Sequence, residues 1–401
     1  MKTIILLASA LAWLAIAPTA YAVPGYSRQT GMECNACHYQ SFPALSEMGR
    51  SFKAGGYTMM GAQQKIEGDG GLSLPVTLNA SVVTKIRYQK SNGDKVVGTH
   101  TTNDGELQFP DEMLVIVGGR VSENIGAQLE LNLQGNPVVE NFKMPFIYNV
   151  AGVKAGVIPF TTGNQGVAYG FELLNTGAVR GGRIMEARKS FSAQQYIGTA
   201  TAAEGVAVVA SNSTFFANIS KWSPRSVGAA GTGSPTASYF RLAFTPKVGD
   251  WDTGVGVQSW RGSATDPALT LFDTKATAVD AQAQGEVGAM PLGIYLTYAS
   301  ASAAGSTQNF FNANPNAKKA TTIAGQLGVM PDKASLLLAY RKGDNGKATG
   351  NGDNSLMIGG TYLVVPNVQF QLNHERYSGS AYDVTPATGN RLTTLMLFAA
   401  F

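Results

Sequence analysis

Of 401 residues only two are cysteine and three are histidine, and charged residues make up 14%. A disulfide framework needs more thiols than this, and a zinc site built on cysteine and histidine has almost nothing to draw on. Past the amino terminus no apolar run reaches the ~18 uncharged residues of a membrane helix. The formal charge of +4, which becomes +3 without Lys2, is too small to argue for nucleic acid, and no basic patch carries interleaved aromatics. A Gly-rich phosphate loop, a nucleophile elbow, a paired-histidine zinc helix and a calcium loop of standard spacing are also missing.

What is present is concentrated. Both cysteines and one histidine fall in Cys34-Asn35-Ala36-Cys37-His38. Two thiols one helical turn apart can each bond a haem vinyl group, and the adjacent imidazole then falls under the ring as an axial ligand. A zinc site would need further ligands, yet His100 and His374 lie far off in segments that read as strand or loop. A redox dithiol would want a βαβ setting, and none surrounds the motif. One covalent haem c is therefore the expected cofactor, on Cys34 and Cys37, with His38 as proximal ligand to the iron.

Residues 1–22 carry Lys2, an apolar run from Ile4 to Ala17 and the small-x-small site Ala20-Tyr21-Ala22, which together read as a secretory signal peptide. Export suits the motif, since haem is attached covalently outside the inner membrane. Residues 23–68 read as a small haem module. Pro43, an apolar face of Leu45, Met48 and Phe52, and the Gly55-Gly56 stop predict a short helix near 43–54. Arg28, Arg50 and Lys53 are candidate partners for haem propionates or simply solvated charges. For the distal axial position the expectation is Met60, then Met59, which come after the glycine break. Met48 reads as a core residue, and His100 or His374 comes into question only if the barrel supplies a ligand. A module this small cannot bury a haem alone and must borrow walls from the rest of the chain.

Residues 69–401 change character. The chain's 47 glycines and its polar/apolar alternation predict an all-β unit. Gln128 to Gln134 sets Leu129, Leu131 and Leu133 on one face, and Val368, Phe370 and Leu372 alternate likewise with polar neighbours. Further strands are expected near 73–89, 112–121, 143–158, 183–189, 204–211, 238–247, 252–261, 279–299, 321–330, 334–342 and 355–365, with loops at 228–238 and 343–354. The acidic glycine-rich runs at 343–346 and 351–354 read as surface loop. An exported all-β chain without cysteine staples, closing on Leu395, Leu397, Ala399 and Phe401 on one face, reads as an outer-membrane β-barrel, with a soluble sandwich as the alternative. A last strand ending in phenylalanine is the usual assembly signal of bacterial outer-membrane barrels. At about twenty residues per strand and connection, the span gives about 16 antiparallel strands. Such a lumen is wide enough for the small α-helical haem domain to plug it. Outer-membrane lipid is then a partner, and aromatics such as Tyr148, Trp251 and Tyr295 near strand ends suit interfacial girdles.

Ser27 to Met32 leading into the haem motif, then Tyr39 to Leu45 and Gly49 to Lys53, resemble the fused cytochrome-porins that serve as outer-membrane iron oxidases. The resemblance covers the layout of signal, one-haem amino terminus and porin, and it is specific in the first 60 or so residues. It implies a haem-dependent ferrous iron oxidase: extracellular Fe(II) gives up an electron that passes through the haem to a periplasmic c-type cytochrome or other electron carrier. It carries over Cys34 and Cys37 as thioether positions and His38 as proximal ligand. No dense ligand cluster marks a docking site for iron. An outward conduit to an external acceptor, and a passive porin with a haem plug or redox sensor, are the alternatives.

Overall fold

In the computed structural model the described residues are 24–61, 63–68, 70–95, 98, 100–135, 138–178, 188–225, 234–266, 268–384 and 387–401. The expected signal peptide lies outside them, as does most of the strand expected at 183–189, where Arg188–Phe191 at its end is a turn of helix.

Apart from two short hairpins, Lys65–Gly68 with Leu72–Pro75 and Ser263–Thr265 with Leu271–Asp273, the strands form one closed antiparallel barrel. In chain order they are β1 (Ala80–Ser91), β2 (Glu106–Ser122), β3 (Ile125–Asn132), β4 (Val139–Lys143 and Phe146–Val150), β5 (Val153–Thr162), β6 (Ala203–Ser211), β7 (Phe215–Pro224) and β8 (Ala237–Phe244). They continue as β9 (Trp251–Arg261), β10 (Ala276–Val287), β11 (Met290–Ala301), β12 (Lys318–Met330), β13 (Ala334–Asp344), β14 (Asn354–Val365), β15 (Val368–Ser378) and β16 (Arg391–Ala400). The two pieces of β4 are halves of one strand interrupted at Met144-Pro145, both pairing with β3 and β5, and Lys247–Val248 prolongs β8. The count is therefore sixteen, as the chain length suggests. Closure runs from Leu392 against Ser91 to Ala400 against Val83, and Phe401 exchanges both backbone hydrogen bonds with Val82.

Period-two alternation decides which way each side chain faces. On β11, Ile294, Leu296 and Tyr298 are 42%, 44% and 41% exposed, while Tyr295, Thr297 and Ala299 between them are buried. On β15, Phe370 and Leu372 face out and Gln371 and Asn373 face in. Val206, Val208, Ile219, Leu242, Val257, Ile323, Leu336, Leu338 and Ile358 continue the exposed apolar band around the barrel. Buried Asn218, Arg241, Gln258, Asp280, Gln282, Gln326 and Glu375 line the lumen. Apolar outside and polar inside is the arrangement a bilayer demands of a closed sheet, and no water-soluble sandwich leaves such a band bare. Connections such as Ala151-Gly152 and Gly288-Ala289 are tight at one end, whereas those at the other end are long. The amino-terminal start of β1 and the end of β16 both lie at the tight-turn end.

Two segments fill the lumen. The first is residues 24–61 with α1 (Pro24–Thr30), α2 (Cys34–Cys37) and α3 (Glu47–Ala54). The second is the connection from β5 to β6, which carries α4 (Arg188–Phe191) and α5 (Ala193–Ile197) and turns inward. Its anchor is Arg241 on β8, whose guanidinium donates to Asp280 at 2.5 Å and to Glu172 at 3.0 Å, all three buried. Removing one member would strand a charge in a desolvated lumen, which is why such a network holds a loop in place.

Candidate functional site in the barrel lumen

The amino-terminal segment is short of apolar core and is held by specific polar contacts instead. Helix α3 starts at Glu47, not near 43, because Ser46 is its cap: its hydroxyl accepts from Gly49 N at 3.2 Å. The same hydroxyl donates to Ala36 O at 2.7 Å, and Ser46 N donates to Cys37 O at 3.0 Å, so the cysteine turn and α3 are locked together. Gly49 has no substitute here, since a Cβ on it would lie 2.1 Å from the Cys37 carbonyl oxygen. Gly56 ends the helix in the left-handed region, at φ +70. Gln29, fully buried, donates to the Tyr57 and Met59 carbonyls at 2.7 and 2.8 Å and accepts from Arg120 N and Asn79 Nδ2 at 3.0 Å each. One side chain thus joins α1, the 57–61 segment and the barrel wall.

The barrel grips this segment from several sides. Arg50 pairs with Asp252 through two bonds of 2.6 Å. Gln40 donates to the carbonyls of Pro291 and Gln326 at 3.1 Å each. Leu45 N donates to Asn175 Oδ1 at 2.7 Å, and Phe42 stacks on Phe398 with centroids 5.3 Å apart. Asp252, Pro291 and Phe398 all lie near the tight turns or the chain end, so the segment sits in that half of the lumen.

Between it and the inward connection lies a cavity with about 1420 Å³ of unfilled space, its open mouth included. Cys34, Cys37 and His38 line one side, with Ser27, Met32 and Phe52; Ile116, Glu130 and Lys143 of the barrel and Tyr169, Glu172 and Leu174 of the inward connection line the rest. Neither cysteine is in a disulfide; Cys34 is buried and Cys37 half-buried, one helical turn apart. His38 Nδ1 lies 3.3 Å from Ala44 O. A carbonyl only accepts, so Nδ1 carries the proton and Nε2 keeps its lone pair, the tautomer a metal ligand requires. Burial lowers the imidazole to about 4, against the pull of the Ala44 and Pro43 carbonyls, which leaves the ring neutral at physiological pH.

The cavity also holds charges and hydroxyls without counterparts. Lys53 has no ion pair among the described residues, and burial lowers its pKa against the pull of Glu172 and Glu130. Lys143, 3% exposed, donates to Tyr169 O at 3.2 Å and lies 4.3 Å from the Tyr169 ring centroid, again with no carboxylate partner among the described residues. The Tyr26 and Tyr169 hydroxyls are buried without a hydrogen-bond partner. Two thiols, a lone-pair nitrogen, the amines of half-buried Lys53 and buried Lys143, and two orphaned hydroxyls around one largely apolar space fit a flat, dianionic, iron-bearing ring better than they fit an empty core. Cys34, Cys37 and His38 would hold such a haem, and Lys53 and Lys143 would meet its propionates.

Of the other residues singled out from the sequence, Arg28 donates to Ala80 O and Arg50 is spent on Asp252, so Lys53 alone of the three cations reaches the cavity. Met48, Met59 and Met60 are not among the lining residues, because Gln29 ties 57–61 along α1; Met32 is the methionine on the wall. His100 is exposed in a loop, and His374 is exposed on the outer face of β15. Glu130 was legible as a polar-face residue of the Gln128 to Gln134 strand. Lys143 stood only at the start of the strand expected at 143–158, and Tyr169 and Glu172 carried only the signal of an unusually long connection after β5 that is rich in apolar residues without alternation.

No family model matches this chain, and no curated protein does. Among solved structures it is similar to a loop-deletion mutant of OmpT, an outer membrane protein of Vibrio cholerae, at 14% identity and TM-score 0.48, over 81% of this chain and 99% of that one. It is also similar to a mutant porin of Rh. blastica at 15% identity and TM-score 0.49, over 81% of this chain and 100% of that one.

Proposed function

We propose that the chain is an outer-membrane electron conduit of the cytochrome-porin kind: one c-type haem on Cys34 and Cys37, ligated by His38, receives an electron from ferrous iron at the cell exterior and yields it to a periplasmic carrier. The observation that carries this reading is the convergence of both thiols and an Nε2-free imidazole on a cavity inside a membrane-spanning barrel. When bound, the haem supplies a one-electron carrier partway across a barrier that has none.

The chain's own residues do the rest. Cys34 and Cys37 fix the ring, and the Ala44 carbonyl holds the His38 tautomer. Lys53 and Lys143 would meet the propionates, and Met32 is the methionine on the cavity wall. Phe52, Leu174 and the tyrosines exclude water and so raise the cost of charging the iron, which favours a high potential. The plug and the inward connection fill the lumen, which argues against a passive diffusion pore. Mixing the purified protein anaerobically with Fe(II) tests the proposal. Rapid appearance of a ferrous haem spectrum is expected, and a protein that shows no haem bands, or whose haem stays ferric, would overturn it.

A further inference from the structure

At the seam where the barrel closes, the register arranges the outward-facing residues of three neighbouring strands in rows. Leu372 on β15, Leu395 on β16 and Tyr88 on β1 make an apolar row that continues the band around the barrel. The next outward row toward the long connections is His374, Thr393 and Lys90, and the one after it sets Arg376 directly opposite Arg391. On its other side Arg376 meets Leu356 of β14, which is 42% exposed. The face therefore passes from apolar to cationic within two strand residues, about 7 Å.

Both arginines are exposed, and neither guanidinium has an ion pair or a side-chain hydrogen bond among the described residues. No outward position of β15, β16 or β1 is a carboxylate; Glu375, between His374 and Arg376 in sequence, turns into the lumen and is 4% exposed. His374 Nδ1 lies 2.9 Å from Thr393 Oγ1, and Lys90 donates to the Asn103 carbonyl, so neither is matched by an acid. Like charges directly opposite on neighbouring strands repel, and at the edge of a hydrocarbon layer water screens them less than on a soluble surface. An anion between them turns that repulsion into charge-assisted pairs, and the guanidinium fork suits phosphate oxygens.

We propose that this face binds a phosphorylated glycolipid of the outer leaflet, its phosphate between Arg376 and Arg391 with Lys90 beside it, and an acyl chain along Leu372, Leu395 and Tyr88. In outer-membrane barrels the short turns face the periplasm and the long connections the exterior, which puts the two arginines at the level of the lipid A phosphates. A lipid is favoured over a free anion or a protein partner because the apolar row directly below the cations belongs to the surface the bilayer already covers. The site is independent of the haem reading.

The purified protein is exchanged into a mild detergent, lipid A carrying both phosphates is added, and native mass spectrometry reads the bound fraction. Saturable retention of lipid A is expected, weakened at least fivefold by Arg376→Gln/Arg391→Gln and unchanged by Lys221→Gln, an exposed lysine on β7 at the far side of the barrel. Lipid A stripped of its phosphates should bind the parent at least fivefold more weakly, an arm that needs no variant and stands even if the double variant does not fold. Inorganic phosphate at equal concentration should displace none of the lipid. Equal retention by parent and double variant, or equal retention of the two lipids by the parent, would overturn the proposal, since the arginines then only reach into water. So would displacement by inorganic phosphate, which makes this a free-anion site, or a changed oligomer mass in the double variant with lipid binding intact, which gives the face to a second copy of the chain.

Discussion

Replacing Arg50 should loosen the plug without unfolding the barrel. Arg50 and Asp252 meet through two parallel bonds of 2.6 Å, and their side chains are 8% and 16% exposed, so the pair is mostly desolvated. Breaking a buried pair by removing one partner costs about 3–5 kcal/mol, largely the penalty on the charge left behind. Residual water at Asp252 places Arg50→Met at the lower end, about 3 kcal/mol, or roughly a 100-fold shift toward the open plug. Asp252 lies just past the tight turn after β8, so the loss acts at the tight-turn mouth and spares the Arg241 network deeper in the lumen. The assay is proteinase K cleavage within residues 24–61 as a function of urea, with heat-modifiable migration reporting the intact barrel. Arg50→Met should be cut at clearly lower urea, and adding Asp252→Leu should recover part of the loss because no charge is then stranded. If Arg50→Met resists like the parent, or if the double variant is as loose as the two single effects added, the ion pair does not hold the plug.

Cys34→Ala with Cys37→Ala should abolish haem staining on denaturing gels while the barrel still folds by heat-modifiable migration, since the thiols touch no strand pairing. In that haem-free variant burial holds the Lys53 pKa below its ordinary value, so the unfolded chain binds more protons; stability should rise as the pH climbs toward 10.5, and Lys53→Met should lessen that rise in urea titrations. Deleting Phe401 should sharply reduce membrane-inserted protein on surface labelling, because both of its backbone bonds to Val82 help seal the barrel. A thioether-to-iron band in the ferric spectrum should vanish in Met32→Leu and survive Met48→Leu, Met59→Leu and Met60→Leu; its loss in Met60→Leu instead would mean that the 57–61 segment leaves Gln29 when haem is attached.

The barrel was legible because a lipid-facing strand writes its two environments into alternate residues. Leu129, Leu131 and Leu133 against Gln128, Glu130 and Asn132 need no tertiary information to be read. The Cys34 to His38 cluster was legible for the opposite reason, since it is local in the chain and gathers both thiols and one of the three imidazoles. β16 shows where reading stops: its inward face, with Met396, Phe398 and Ala400, is apolar too, because Phe42 of the plug seats on it. The inward turn of the β5 to β6 connection is settled by Arg241 meeting Glu172 and Asp280, residues far apart in the chain whose encounter no local pattern records. The start of α3 was misplaced for a smaller reason: Pro43 is a common first helical residue, but Ser46 offers the better cap.

Electron transfer across a sealed bilayer tests the central proposal most directly. The protein is inserted into liposomes that enclose a soluble ferric c-type cytochrome, Fe(II) is added outside, and reduction of the enclosed cytochrome is monitored by absorbance. Prompt internal reduction with the parent, absent with Cys34→Ala/Cys37→Ala, is the expected result; no internal reduction, or the same rate with the cysteine variant, would contradict a haem-borne path through the barrel.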